Sequence, residues 1–204
     1  MNLNTVVIYG SARRGRQGIK AARFITRKLE ERRHDVTFVD TAEYELPFLD
    51  LMYKEYDTGT APEAMQAVAR ILAAADGFVI LSGEYNHSIP PALKNLLDHY
   101  QSEYLYKPSA IVTYSAGPFA GVRGLVNMRG IMAELGSPAI PSAFPVSQVW
   151  KAFDEDGNAV DDAYNERVTK FLDEYEWYAR ALKTERDRGK CARQTPGQQQ
   201  LCRG

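Results

Sequence analysis

Cysteine is almost missing from this chain. Among 204 residues there are two, Cys191 and Cys202, both in the last segment. No disulfide framework can therefore hold the residues upstream of them. Neither has a histidine nearby, so a closed four-ligand zinc site is not expected, and no metal ligands are assigned. A dominant charge is missing too: 25 Lys and Arg against 26 Asp and Glu leave a formal net charge of −1. That is too little to draw the chain to nucleic acid or to an anionic membrane. Arginines do cluster between Arg13 and Arg33, but Glu30 and Glu31 interrupt them and no DNA-binding motif accompanies them. No stretch approaches the roughly 20 apolar residues of a membrane span. The opening residues run directly into a strand-like segment without a basic stretch or cleavage signal, so the expected location is cytoplasmic. A Gly-x-Ser-x-Gly elbow is absent as well, which argues against a hydrolase.

What is present is an alternation of short apolar runs with amphipathic ones. Strands are expected at residues 3–9 (LNTVVIY), 34–40 (HDVTFVD), 77–82 (GFVILS) and 108–114 (PSAIVTY). A fifth, at 138–146, carries Pro141 and Pro145 and should be short or lie on an edge. Helical spacing links Ile19, Ala22, Ile25 and Leu29, then Ala64, Val68, Ile71 and Leu72 after Pro62. It returns in Leu93, Leu96, Leu97 and Tyr100 after Pro90-Pro91, and in Leu125, Met128, Met132 and Leu135. The last helix, residues 161–182, has Val168, Phe171, Leu172, Tyr175, Tyr178, Ala179 and Leu182 as its stripe. Residues 41–60 read as a long loop. One domain is expected over residues 1–183, and 184–204, which lose all apolar periodicity, read as a disordered tail.

Strands that alternate with helices imply a parallel sheet covered on both faces and doubly wound. Such sheets bind ligands beyond the carboxyl ends of their strands, which singles out three loops. In the first, Gly10-Ser11-Ala12-Arg13-Arg14-Gly15-Arg16-Gln17-Gly18, a helix N-terminus, the Ser11 hydroxyl and the Arg13 and Arg16 guanidinium groups suit a phosphate. The lysine and hydroxyl of a Walker loop are missing, and Ala12 stands where a dinucleotide fingerprint needs glycine. Asp40, at the end of the second strand, keeps a ribose-binding Rossmann reading open. A solvated, arginine-rich helix cap is the plainer alternative. The second loop groups Glu84, Tyr85, Asn86 and His87, a flat surface with amide-like donors that suits a planar heterocycle. The third, residues 115–121 (SAGPFAG), lets backbone approach a ligand closely.

Three segments, GSAR ending at Arg13, EYNHSIPPALKNLLD over 84–98 and SAGPFAG over 115–121, resemble the NAD(P)H-dependent FMN reductase family. The likeness covers about residues 3–182, and the middle segment is its most specific part. This family includes quinone, azo and chromate reductase types. The resemblance implies a flavodoxin-like α/β fold, a five-stranded parallel sheet in the order 2-1-3-4-5 with helices on both faces. It implies FMN as cofactor and NADPH or NADH as electron donor. It places Ser11, Arg13, Arg16, Gln17, Gly18 and Ile19 around the phosphate. Glu84, Tyr85, Asn86 and His87 then follow the isoalloxazine and ribityl chain, and Ser115, Ala116 and Gly117 close the other edge. The flavin itself carries the reaction, so no catalytic side chain is expected. Hydride would pass from NAD(P)H to a small acceptor (quinone, flavin, azo compound or metal oxyanion) by a ping-pong sequence. An electron carrier or an FMN sensor without turnover is the alternative. Gly83 departs from the family, which often has proline there, and Pro118-Phe119 interrupt its glycine-rich loop. A homodimer or homotetramer is implied, with the apolar helix at 90–100 and residues 101–106 as the expected partner surface.

Overall fold

The computed structural model describes residues 2–189. Five parallel strands form its centre: β1 (Asn4–Tyr9), β2 (Asp35–Asp40), β3 (Gly77–Gly83), β4 (Ser109–Tyr114) and β5 (Ala139–Val146). Their order is β2-β1-β3-β4-β5, as the resemblance implied. β1, β3 and β4 read as unbroken apolar runs because both of their faces are covered. On one face lie α1 (Gly18–Glu31) and the long α6 (Ala163–Asp187). The other carries α2 (Glu63–Ala74), α3 (Pro91–Asp98) and α4 (Val122–Glu134). A single turn, α5 (Val149–Ala152), was not foreseen; it follows β5 and is anchored by Val149 N–H on the Ser115 carbonyl.

β5 lies on an edge, as its prolines require, but with eight residues it is not short. The register against β4 slips between Ser109 and Ile111, which pair with Ala139 and Ala143, so Pro141 sits in a bulge. Side chains meet several of the strand's backbone groups. Arg129 donates to the carbonyls of Ile140 and Pro141, Arg167 donates to that of Pro145, and Glu174 accepts from Ser142 N–H.

α6 runs five residues beyond the expected end at Leu182. Arg186 explains the extension: it donates to the Tyr106 carbonyl at 2.7 Å and reaches Asp76 at 3.2 Å. The tail expected at 184–204 is therefore helical through Asp187, and residues 190–204 lie outside the described residues. No helix among the described residues is long and apolar enough to cross a membrane.

Candidate functional site

The carboxyl ends of the strands, called the upper edge below, gather the three loops named from the sequence. Ser11 leaves β1 buried, and its hydroxyl lies 3.0 Å from the Tyr85 hydroxyl, joining the first loop to the second. Arg13 places its guanidinium 5.9 Å over the Tyr85 ring, within cation–π range. No backbone N–H over residues 11–17 has an acceptor among the described residues. A run of amides without a protein acceptor at the start of a helix is a setting that favours an anion.

The second loop is a two-residue hairpin. Tyr85 and Ser88 exchange both backbone hydrogen bonds at 2.9 Å, with Asn86 (φ 49°) and His87 (φ 67°) left-handed at the tip. Both residues positive is the type I′ geometry, which asparagine tolerates better than most. The Asn86 and His87 amides have no acceptor among the described residues. From α4, Asn127 donates to the His87 carbonyl at 2.8 Å and braces the tip.

Glu84 ties this hairpin to the third loop. Its carboxylate accepts the Arg123 N–H at 3.0 Å, in the first turn of α4, where an anion is favoured. Arg123 in turn lies 4.7 Å above the Phe119 ring. The Ser115 hydroxyl donates to the Gly117 carbonyl at 3.0 Å, and Gly117 also accepts Gln148 N–H. The Ala116 and Gly117 amides stay free among the described residues. The hairpin is thus tied to the first loop, where Arg13 lies over Tyr85, and through Glu84 to the start of α4, where Arg123 lies over Phe119.

Several expected residues serve differently from the sequence reading. Arg16 closes its fork on Asp40 at 2.5 and 2.6 Å and donates to the Ser11 carbonyl at 2.7 Å. It lies 5.1 Å over the Tyr9 ring, so it braces the loop from below. Asp40 is 1% exposed and spent on Arg16 and on Ala42 N–H, which removes the ribose-binding Rossmann reading. Gly18 is required by a ring: an added Cβ would stand 2.3 Å from Tyr114 Cζ. Gly83 meets the same ring from the other side at 3.1 Å, a physical reason for its departure from proline. Ile19 is half-buried against the core, and the Gln17 side chain is exposed and makes no capping bond.

The sequence missed Tyr9 and Tyr114, which end β1 and β4 and read there as plain strand residues. Burial pushes both phenols above their ordinary acidity range. Each is close enough to the other and to Ser11 to shift its proton affinity. Yet neither hydroxyl reaches a partner with hydrogen-bond geometry, and that geometry is what defines an unmet donor. Arg123, Asn127 and Gln148 were also missed; nothing in local spacing links them to Glu84, His87 and Gly117, the partners they find in the fold.

The stripe expected as a partner surface is covered by the chain itself. Leu93, Leu96, Leu97, Tyr100 and Tyr104 are buried within the chain's own core. Exposed apolar side chains occur instead at Phe48 (89%), Leu49 and Leu51, on a segment pinned to α3 by Asn95. Beside it an open groove of about 480 Å³ runs from Ala12 past Tyr44 and Leu46 to Pro91.

Comparison with known proteins agrees with this architecture. The family model described as NADPH-dependent FMN reductase matches residues 3–151. A 2-hydroxy-1,4-benzoquinone reductase of Burkholderia sp. is 29% identical over 88% of this chain and 98% of its own length. An NADPH azoreductase of Bacillus sp. (strain OY1-2) is 30% identical over 68% of this chain and 74% of its own. Among solved structures, the flavoenzyme NAD(P)H:(acceptor) oxidoreductase FerB of Paracoccus denitrificans aligns with a TM-score of 0.68 at 20% identity. That alignment covers 86% of this chain and 98% of FerB.

Proposed function

The chain belongs to the NADPH-dependent FMN reductase family, and on that premise we propose that it reduces a small acceptor, a quinone first among them, by a ping-pong sequence. FMN, when bound, supplies the hydride chemistry between NAD(P)H and the acceptor. The residues present fit that group. The observation that carries the reading is the run of free amides over residues 11–17 at the start of α1, with Ser11 and the exposed Arg13 beside it. This is a place made for a phosphomonoester.

In this reading Ser11, Arg13, Gln17, Gly18 and Ile19 surround the phosphate, and Arg16 holds the loop to Asp40. Tyr85 covers the ribityl side. The free amides of Asn86 and His87 point donors at the polar edge of the ring, where charge gathers when electrons arrive. Glu84 fixes that hairpin through Arg123 N–H, and Ser115, Ala116 and Gly117 close the opposite edge. A single open flavin face would serve donor and acceptor in turn, which is the basis for ping-pong order. Arg13, Arg14 and Arg123 at the opening favour NADPH over NADH, because guanidinium forks match a further phosphate. A quinone acceptor is supported by the relative from Burkholderia sp., which matches over nearly its whole length. Azo compounds, free flavin and metal oxyanions remain in the same class. Two copies would meet through Phe48, Leu49 and Leu51.

The test is an anaerobic absorbance spectrum of the purified chain with FMN, before and after NADPH. An oxidised-flavin spectrum that bleaches is expected. A flavin that stays oxidised would fit an electron carrier or sensor, and no bound flavin would overturn the proposal. With a benzoquinone as acceptor, initial-rate lines should be parallel; intersecting lines would exclude the ping-pong order.

A further inference from the structure

The three loops contain few groups that can part with a proton. Apart from arginine, the titratable side chains of residues 10–18, 83–90 and 115–121 are Glu84, Tyr85 and His87. Glu84 is spent on Arg123, accepting its backbone N–H at 3.0 Å and lying 3.5 Å from its guanidinium. The Tyr85 hydroxyl is engaged with Ser11 at 3.0 Å, and the Arg13 guanidinium lies over its ring. His87 alone is exposed and uncommitted: its imidazole makes no hydrogen bond, ion pair or ring contact among the described residues. The other two imidazoles of the chain are buried and bonded, His34 to Thr5 and Glu176, and His99 to the Asn95 carbonyl.

The backbone of His87 is held as firmly as its side chain is free. Tyr85 and Ser88 exchange both backbone bonds around it, and Asn127 donates to its carbonyl at 2.8 Å. At φ 67° it takes the second tip position of a type I′ turn, where the turn itself favours glycine. An imidazole is therefore carried at a place that backbone preference alone would give to glycine, and such outliers cluster at functional sites. Its own N–H is one of the free amides, so the imidazole hangs from the same residue that the flavin edge would meet.

Reduction of a quinone calls for such a group. A quinone that becomes a hydroquinone takes up two electrons and two protons, and a hydride brings both electrons with only one proton. Resting on the reading that hydride from NAD(P)H reaches a quinone through FMN at these loops, we infer that His87 is a catalytic residue that supplies the second proton. As the hydride closes one quinone oxygen as O–H, an imidazolium N–H bond breaks and the other oxygen is closed as O–H. The neutral imidazole left behind regains its proton from water, to which it is open. Histidine suits this exchange because it ordinarily gives and takes a proton near neutral pH. The site therefore favours acceptors that must be protonated as they are reduced over those that take electrons alone.

The experiment follows the two half-reactions separately by anaerobic stopped-flow absorbance. It is run on the FMN-loaded full chain as wild type, His87→Asn and His87→Gly. Asparagine and glycine both accept the left-handed tip, so flavin-free melting temperatures should equal that of wild type or exceed it. FMN affinity by fluorescence titration should be unchanged, because the backbone amide and not the imidazole meets the flavin. Reduction by NADPH should be unchanged as well. Reoxidation by a benzoquinone should slow about a hundredfold in both variants. Reoxidation by ferricyanide, which takes electrons and no proton, should keep the wild-type rate. Imidazole added to His87→Gly should restore the benzoquinone rate.

A loss shared by benzoquinone and ferricyanide would mean that His87 shapes the loop, and would overturn the inference. So would an unchanged benzoquinone rate in either variant, or a loss that imidazole does not repair. Those results leave the proposed function standing, since wild type is still reduced by NADPH and reoxidised by the quinone. A wild type that binds no flavin, or whose flavin the quinone does not reoxidise, overturns both.

Discussion

The two edges of the sheet treat polar groups in opposite ways. At the lower edge, where strands begin, charged and polar side chains are closed into networks. The Asp76 carboxylate accepts Asn4 N–H at 3.0 Å and pairs with Lys183 and Arg186. Thr5 bridges His34 and Tyr175, and His34 reaches Glu176. Lys107 donates to the last carbonyls of α2, Leu72 and Ala73, at 2.7 Å each. At the upper edge the Tyr9, Thr113 and Tyr114 hydroxyls go unmet beside free runs of backbone amide. A lone orphan marks nothing, since Tyr104 and Tyr106 hydroxyls near the lower edge are also unmet. Orphans gathered around free amides are another matter: grouped at one edge they call for an explanation, and the proposed flavin site supplies one.

Substitutions at the two edges should therefore separate stability from binding. The largest loss of stability is expected below. Asp76→Ala leaves Lys183 and Arg186 without their shared carboxylate and should cost about 3 kcal/mol in denaturant unfolding. FMN affinity of the folded fraction should not change; a parallel loss of binding would break the comparison. Asp40→Ala straddles the two behaviours, since it frees Arg16 and loosens the loop above it. A loss of about 2 kcal/mol should come with a several-fold weaker FMN complex, read by the same two assays.

Lys107 offers a pH test of the lower edge. Burial first, then the nearby Arg186 charge, bring its ammonium down to about 7. Its value in the unfolded chain is about 10.4, so between those limits the unfolded state holds more protons and stability rises with pH. Relative to Lys107→Met, the wild type should gain about 3.5 kcal/mol between pH 7 and pH 10. A flat difference in urea midpoints would show the ammonium to be solvated. Above, Arg13→Ala should leave the melting temperature within a degree or two, being exposed. It should weaken FMN about tenfold and riboflavin hardly at all. Smallest of all, Phe48→Asp should leave stability and flavin binding unchanged and show only in molar mass by light scattering, as a shift from dimer toward monomer.

How much of this was legible in the residues follows the same division. Buried strands could be read because apolar runs, glycines and prolines carry local signals; their order came with the family resemblance, and the three loops follow from the strand ends. Arg16 could be placed in its loop but not assigned its partner: Asp40, its acceptor, is 24 residues away. That Gly18 must be glycine to leave room for Tyr114 could not be read, because the contact exists only after β4 is laid two strands from β1. The end of α6 was set too early because Arg186 finds Tyr106 and Asp76 only in three dimensions. The 90–106 stripe was read correctly as apolar, but the chain uses it internally.

The bulged, proline-bearing edge of β5 has a consequence for how copies of this chain can meet. A sheet grows by lending its unpaired N–H and carbonyl groups to a neighbour's backbone. Along β5 prolines lack the donor, and Arg129, Arg167 and Glu174 occupy the carbonyls of Ile140, Pro141 and Pro145 and the Ser142 amide. Strand-to-strand polymerisation is thus closed on that side, and assembly there depends on side-chain complementarity, which can be chosen or abolished one residue at a time.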